Sequence, residues 1–340
     1  MTIDFQTYDA GDVTLQSGYV FPSLKLTYKT FGTLNAAKDN VIVYPTSFGA
    51  QHYDTEWLVQ DGAGLDTSRF FVVIPNLFGN GLSSSPSNTP HAISQADYPL
   101  LTYHDAVAVQ HRLVTQHLGV KRIALVYGWS MGGMQAYHWG ALYPDLVERI
   151  AVVCGSARCS PYNQIFIEGV RAALTADTAF QNGYFAQTPE RGLKAMGRVY
   201  AGWAMSHGFY RDELWREAGF DSLEAYLVGA WEANYSKRNA NDILAQLATW
   251  QQGDISANQQ FSGNIDAALA AIKADVLLMP GETDRYFDVE DNRVELPKLV
   301  NARSKTLKPI PSLWGHRAGN PHNIPQDRAW LEAAIKTFLN

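Results

Sequence analysis

The sequence predicts an α/β fold with a mostly parallel central sheet flanked by helices. Short apolar strands alternate with helical stretches, as where residues 70–75 precede an amphipathic run at 103–118. The strands at 41–44 and 149–154 are apolar on both sides, which is typical of a sheet covered on both faces. With 340 residues, of which 46% are hydrophobic, the chain can build a large core.

The ends of the sheet and the domain boundaries follow from changes in pattern. Residues 11–34 alternate in short runs, which predicts antiparallel edge strands with one wet face. Between residues 158 and 264 no strand pattern occurs, and long polar-aromatic helical stretches take over. Strand character returns near residues 274–280 and 304–307, before a closing helix. The chain therefore divides into a first core segment (1–157), a helical lid insertion (158–264) and a second core segment (265–340).

Composition and charge exclude several functions. The formal net charge is −6, which argues against a nucleic-acid partner. No apolar run reaches the ~20 residues of a membrane helix, and residues 1–5 lack the basic and apolar parts of a signal peptide. Cys154 and Cys159 have no second pair with which to form a zinc site, and we expect them to stay reduced. These features predict a cytoplasmic protein without a metal.

One motif carries the chemistry. Gly128, Ser130 and Gly132 form the pattern Gly-x-Ser-x-Gly, preceded by an apolar strand at 122–127 and followed by a helix at 134–143. Strand, sharp turn and helix are the context of a nucleophile elbow, in which the glycines let strand and helix approach closely. The alternative is a glycine-rich turn without a catalytic role. The context favours Ser130 as a nucleophile.

A serine nucleophile needs a base, and the base needs an orienting carboxylate. In this arrangement the partners follow in the order serine, acid, histidine. Asp284 follows the strand at 276–279, with Glu282 and Asp288 as competing acids in the same region. His316 lies in the loop before the last helix, with His322 as the other histidine there. We assign Asp284 and His316.

The negative oxygen that develops on the substrate needs fixed hydrogen-bond donors. The backbone N–H of Met131, directly after the nucleophile, is the first candidate. The second is expected in the loop at residues 46–49, where Ser47 is favoured over Phe48, although an ordinary turn would give the same pattern. Phe48 and Trp129 are expected to line the substrate pocket.

Together, these residues resemble the homoserine O-acetyltransferase family, including its esterase-like members. The resemblance spans most of both core segments and rests on residues 66–79, 128–135, 283–287 and Gly315-His316. It implies an α/β-hydrolase fold with an inserted helical lid, in which Ser130 is acylated, His316 is the base and Asp284 orients it. It also implies a homodimer formed through the lid.

The chain departs from that family at two places. The transferases typically have aspartate after the catalytic histidine, where this chain has Arg317. They also bind the homoserine carboxylate through a lid arginine, and the nearest match here is Tyr210-Arg211-Asp212. We predict Tyr210 and Arg211 as substrate-binding residues. The alternative for Arg211 is a solvated arginine on a helix surface.

These departures favour water as the acyl acceptor. We predict a serine esterase that hydrolyses small carboxylic esters, such as alkyl acetates, without a metal or cofactor. The alternative is a homoserine O-acetyltransferase, for which acetyl-CoA would be a co-substrate. A non-catalytic binding protein is disfavoured because Ser130, Asp284 and His316 are all present. The expected partner is a small-molecule ester.

Overall fold

The computed structural model describes residues 4–90, 93 and 95–340. The first three residues of the N-terminal stretch, used above to argue against a signal peptide, lie outside these described residues. The strands are β1 (Gln6–Asp9), β2 (Val13–Thr14), β3 (Val20–Phe21), β4 (Lys25–Phe31), β5 (Val41–Val43), β6 (Phe71–Pro75), β7 (Ile123–Trp129), β8 (Arg149–Val153), β9 (Phe180–Gln181), β10 (Tyr184–Phe185), β11 (Asp275–Met279) and β12 (Ser304–Leu307).

The central sheet has eight strands in the order β1-β4-β6-β5-β7-β8-β11-β12. Neighbours from β6 to β12 pair in parallel, whereas β1 and β4 form an antiparallel edge. The predicted mostly parallel sheet is confirmed. The antiparallel edge is also confirmed for β4, but the predicted strand at Val13–Thr14 pairs with β3 in a separate ribbon. Strand β1 was not predicted.

Helices cover both faces of this sheet. The helices are α1 (Tyr103–Arg112), α2 (Met131–Leu142), α3 (Pro161–Thr175), α4 (Glu190–Ala204), α5 (His207–Arg211), α6 (Leu223–Tyr226), α7 (Ala233–Tyr235), α8 (Ala240–Gln251), α9 (Ile265–Ala270), α10 (Val289–Glu295) and α11 (Pro325–Leu339). Val126 and Val152 pack in one core cluster with side chains of α1 and α2. Leu125 and Ala151 pack on the opposite face in a cluster with side chains of α11. The strands are apolar on both sides because both faces are buried.

The helical segment, residues 158–264, stands between β8 and β11. It contains α3 to α8, and local caps define several helix starts: the Ser160 side chain accepts from Asn163 N–H before α3, and Asn239 does the same for α8. It also contains the hairpin β9–β10, which the sequence did not predict. Each hairpin strand has two residues, too few to show an alternating pattern. Within the described residues, no helix has the length and apolar character needed to cross a membrane.

Candidate active site

Ser130 lies at the sharp turn between β7 and α2. Its backbone has φ 58° and ψ −125°, a conformation that L-residues rarely adopt. A Cβ at Gly128 would lie 2.0 Å from the carbonyl oxygen of Gly132, and one at Gly132 would lie 2.6 Å from that of Pro45. Glycine is therefore required at both places, because strand, helix and a neighbouring loop approach too closely for a side chain. The turn has the geometry of a nucleophile elbow.

Asp284 and His316 meet at the carboxyl ends of the strands. Oδ2 of Asp284 lies 2.6 Å from Nδ1 of His316, and both side chains are buried. Oδ1 of Asp284 accepts the backbone N–H groups of Tyr286 at 3.1 Å and Phe287 at 3.2 Å. These bonds fix the carboxylate so that one oxygen faces the histidine. The ring of His316 is thereby held by Nδ1, which leaves Nε2 free to face the cavity.

The competing residues lie elsewhere. Glu282 and Asp288 are exposed, and the Asp288 side chain caps α10 by accepting the N–H of Glu290 at 2.7 Å. His322 is exposed at the cavity and does not pair with Asp284. Of these candidates, Asp284 and His316 are the acid and the histidine that the structure brings into contact.

The His316 ring lies among aromatic side chains. Trp129 donates its Nε1–H to the His316 carbonyl oxygen at 3.2 Å, and the two rings are 5.0 Å apart. The Tyr286 ring is 4.4 Å away on another side. Nε2 of His316 is buried and has no hydrogen-bond partner among the described residues. His316 and Ser130 line the same cavity.

Cys154 is the third potential metal ligand near this pair. Its Sγ, a carboxylate oxygen of Asp284 and a ring nitrogen of His316 lie within 4.8 Å of one another. Burial raises the pKa of Cys154 well above its usual value, and the charge of Asp284 acts in the same direction. The thiol form of this side chain is therefore favoured over the thiolate. The Cys154 side chain is fully buried in one of the two hydrophobic core clusters.

Two backbone regions can supply hydrogen bonds to an anionic oxygen. The N–H groups of Met131, Ser47 and Phe48 donate to no acceptor in the part of the chain that the structure describes. The N–H of Gly49 is different, because it donates to Oε1 of Gln246 at 2.7 Å. The N–H groups of Ser47, which the sequence favoured, and of Phe48 are thus both available to bind an oxyanion together with that of Met131.

The loop that carries these N–H groups is held by a buried glutamine network. Gln135 on α2 donates to the carbonyl oxygens of Thr46 at 3.0 Å and Met131 at 3.2 Å. Its own Oε1 accepts from Gln110 on α1 at 2.7 Å. Gln246 on α8 also donates to the carbonyl oxygen of Phe78 at 3.1 Å. Gln110 and Gln246 were not predicted from the sequence. Their burial marks them as structurally important polar residues, and burial is visible only in the folded chain.

The buried carboxyl group of Glu295 forms hydrogen bonds with α2 and with the loop after β8. Oε2 of Glu295 accepts the Tyr137 hydroxyl at 2.8 Å and the Asn292 amide at 2.9 Å. Its Oε1 accepts the N–H of Ala157 at 2.7 Å. Burial raises the pKa of Glu295 to about 7 against the lowering effect of these hydrogen bonds. Asn292 also donates to the carbonyl oxygen of Gly155 at 3.0 Å, so α10 holds the loop that follows β8.

Two adjoining cavities share part of their lining, and we call the one that contains Ser130 the inner cavity and the other the outer cavity. The inner cavity has a volume of about 350 Å³ and contains Ser130 and His316 in its lining. Its other walls include the predicted residues Ser47, Phe48 and Trp129, together with Tyr200 from the helical segment. The outer cavity measures about 490 Å³ and adds Met205, Phe220, Tyr226 and Trp314. Both share the lining residues Asp54, Trp231, Asn234, Arg317, Asn320 and His322.

Tyr210 and Arg211 do not reach these cavities. The Arg211 guanidinium is 61% exposed and pairs with the neighbouring Asp212 at 2.6 Å. The Tyr210 hydroxyl donates to the carbonyl oxygen of Ala201 at 2.8 Å. Both predicted substrate contacts are corrected by this placement, since neither residue is part of the cavity linings. The arginines that line the inner cavity are Arg238 and Arg317, which the sequence analysis did not assign.

Comparisons with known proteins agree with this architecture. Residues 42–316 match a family described as alpha/beta hydrolase fold. An ethyl acetate hydrolase of Pseudomonas veronii is 32% identical over 92% of this chain and 89% of its own length. A homoserine O-acetyltransferase of Chlorobaculum parvum is 29% identical over 88% of this chain and 85% of its own.

The solved structure of the acetyl esterase MekB superposes with a TM-score of 0.94 and 31% identity, covering 98% of this chain and 96% of the other. The resemblance to homoserine O-acetyltransferases and their esterase-like members is confirmed.

Proposed function

Because the chain belongs to the α/β-hydrolase fold family, we propose that it is a serine esterase acting on small carboxylic esters, short-chain alkyl acetates in particular. One observation carries the proposal: Ser130 on a strained elbow shares a cavity with His316, whose Nε2 has no partner among the described residues and whose Nδ1 is bound by Asp284. The similarity to an ethyl acetate hydrolase and to an acetyl esterase supports the substrate class.

The proposed reaction has two halves. Ser130 Oγ attacks the ester carbonyl while Nε2 of His316 takes its proton, and Asp284 stabilises the imidazolium that forms. The N–H of Met131, with that of Ser47 or Phe48, binds the oxyanion. His316 then protonates the leaving alcohol, which leaves an acyl-Ser130. Water, activated by His316, hydrolyses this acyl-enzyme and releases the carboxylic acid.

The inner cavity supports a small acyl group. Its volume of about 350 Å³ is at the lower end of small-molecule sites. Phe48 stacks on Tyr200 with ring centroids 5.9 Å apart, and Phe48 also contacts Trp250 at 5.7 Å. We propose that the helical segment acts as a lid, since it supplies Tyr200, Trp231 and Tyr235 to the cavity lining.

A second candidate is acyl transfer from acetyl-CoA to homoserine, which the similarity to a homoserine O-acetyltransferase favours. Both reactions share every step up to acyl-Ser130, so they differ in what the pocket offers the acceptor. Arg211, the anchor that the resemblance implies for the homoserine carboxylate, lies outside the cavity lining, and we favour hydrolysis on the similarity to an ethyl acetate hydrolase and an acetyl esterase.

The deciding experiment measures two activities of one preparation. Acetate release from ethyl acetate is followed by titration, and thiol release from acetyl-CoA is followed with and without homoserine. Ethyl acetate hydrolysis that is lost in Ser130→Ala, with no homoserine-dependent thiol release, supports the esterase. Homoserine-dependent release that exceeds ester hydrolysis would establish the transferase instead. A function that survives Ser130→Ala would favour the binding-protein alternative.

The cofactor requirement and the oligomeric state can each be measured separately. The reaction uses side chains and backbone N–H groups alone, so we propose that it needs no metal or cofactor; activity should survive dialysis against a chelator. We also propose a cytoplasmic homodimer formed through the helical segment, with a small-molecule ester as substrate. The mass in solution tests the dimer, and a monomeric mass would contradict it.

A further inference from the structure

Arg317 directly follows His316 and lies on the wall shared by both cavities. Its side chain forms no ion pair and donates no hydrogen bond to any group among residues 4–90, 93 and 95–340. By contrast, Arg211 is bound to Asp212, and Arg238 lies 3.8 Å from Asp54. Arg317 is exposed and lines both cavities, so its guanidinium donors are available to a ligand bound there.

The tyrosines of the cavity respond to this charge. Burial raises the pKa of Tyr226 to about 12, and the positive charge of Arg317 opposes that rise. Arg317 also opposes the rise in the pKa of Tyr200 and of Tyr235, where burial again dominates and where Arg238 opposes the rise at Tyr235 more strongly. This agrees with the place of Arg317 in both cavity linings.

The other charged side chains leave the inner cavity with an excess of positive charge. Asp54 and Arg238 face each other and largely cancel. Glu217 lines only the outer cavity and is exposed. Arg317 is thus the uncompensated cation at the junction, and its planar guanidinium matches a carboxylate with two parallel hydrogen bonds.

The proposed reaction indicates which part of an ester would contact Arg317. The ester oxygen of the leaving alcohol must come within hydrogen-bond distance of Nε2 of His316, which protonates it. The alcohol part is therefore expected to start at His316, next to which Arg317 lines the cavity. The carbonyl oxygen is expected to meet the N–H of Met131.

We propose that Arg317 binds a carboxylate carried by the alcohol part of the substrate, so that the preferred esters are acetates of small hydroxy acids. This inference rests on the proposed esterase function. It assigns to Arg317, from the loop after β12, a specificity role that Arg211 is too distant from the cavity to fill.

The test compares two esters that differ in one group. 4-Acetoxybutanoate carries a carboxylate, and 4-acetoxybutanamide is its neutral equivalent of nearly the same shape. The quantity measured is the ratio of kcat/KM for the two esters. The wild type should prefer the carboxylate, and Arg317→Gln should lower that ratio about tenfold, since a charge-assisted hydrogen bond is lost. Arg317→Lys should retain part of the preference.

Two control variants separate a local contact from a general effect of charge. Arg211→Gln removes the same charge outside the cavity and should leave the ratio unchanged. Arg238→Gln removes the paired arginine of the inner cavity and should lower the ratio less than Arg317→Gln does. Equal ratios in the wild type and in Arg317→Gln would overturn the proposal, as would an equal loss in Arg238→Gln.

Binding without turnover distinguishes this proposal from the esterase function. Calorimetry on Ser130→Ala should show tighter binding of 4-acetoxybutanoate than of the amide, and the difference should vanish in Ser130→Ala/Arg317→Gln. If the wild type hydrolyses neither ester nor ethyl acetate, the esterase proposal fails, and this binding difference alone decides the carboxylate site. Equal binding of both compounds to Ser130→Ala would refute the site even in an active esterase.

Discussion

Oε1 of Gln246 accepts the N–H of Gly49 at 2.7 Å, which joins α8 of the helical segment to the loop beside the nucleophile. The same side chain donates to the carbonyl oxygen of Phe78 and is almost completely buried. Gln246 thus bonds to the two loops that carry Gly49 and Phe78, although it lies far from both along the chain. The loop whose N–H groups we propose to bind the oxyanion is therefore held in place by a helix that contributes no proposed reacting group.

We expect Gln246→Ala to lower kcat more than it raises KM. Removing the side chain releases Gly49 and lets the N–H groups of Ser47 and Phe48 move, which weakens binding of the oxyanion more than binding of the ester. A loss of about tenfold in kcat corresponds to about 1.4 kcal/mol. Steady-state kinetics on ethyl acetate measure it. Gln252→Ala, at the exposed end of α8, is the control, and an equal loss there would contradict the role of Gln246.

Asp284→Asn should reduce kcat by about 10⁴-fold, because an amide no longer stabilises the imidazolium and favours the wrong histidine tautomer. KM should change little, since the carboxylate does not contact the ester. Asp288→Asn is the matched control, because asparagine still caps α10. If the two variants lose similar activity, the acid has been misassigned.

Gly132→Ala should be destabilising although alanine favours helices. The new Cβ would lie 2.6 Å from the carbonyl oxygen of Pro45, and such overpacking costs about 1–3 kcal/mol. It would also push the oxyanion loop away from Ser130 and lower kcat. Gly202→Ala on α4, where a Cβ meets no atom within 4 Å, should instead raise the free energy of unfolding by up to about 1 kcal/mol. Urea unfolding distinguishes the two.

The buried carboxyl of Glu295 predicts a pH dependence of stability. Burial raises its pKa from 4.5 to about 7 in the folded state, so folding favours the protonated form. Its contribution to the free energy of unfolding is present below about pH 4.5 and is lost as the pH rises to about 7. The change amounts to about 3 kcal/mol.

Glu295→Gln should remove this part of the pH profile, so that the difference in unfolding free energy between wild type and variant changes between pH 4.5 and 7. Asp291, whose pKa burial raises to about 6, contributes a slope of the same sign in both proteins. Glu290→Gln, an exposed change on the same helix, should keep the wild-type profile. A parallel profile for Glu295→Gln would contradict the assignment.

The elbow and its partners could be predicted because each depends on local pattern and chain order. A glycine on either side of Ser130 and a strand before it identify the turn, and Asp284 and His316 follow in the order the fold requires. The parallel strands were equally visible, since burial on both faces leaves continuous apolar runs.

The walls of the cavity could not be predicted in the same way. Arg211 and Arg317 are both exposed arginines, and only the fold shows that Arg317 lines the cavity while Arg211 pairs with Asp212 outside it. Gln246 and Glu295 become buried through contacts with distant parts of the chain, which no local periodicity encodes. Polar residues that a fold buries look like surface residues in sequence.

The positive φ angles of Ser130 and Cys154 show what this site costs the molecule. Ser130 has φ 58° and Cys154 has φ 44°, and both follow directly on the ends of adjacent strands. Such conformations cost about 1–3 kcal/mol each in a residue with a Cβ. Their N–H groups remain bonded to Val153 and Met279, so the sheet enforces them. Ser130→Gly should therefore be more stable than Ser130→Ala while equally inactive, which would mean that selection here has traded robustness of the fold for reactivity.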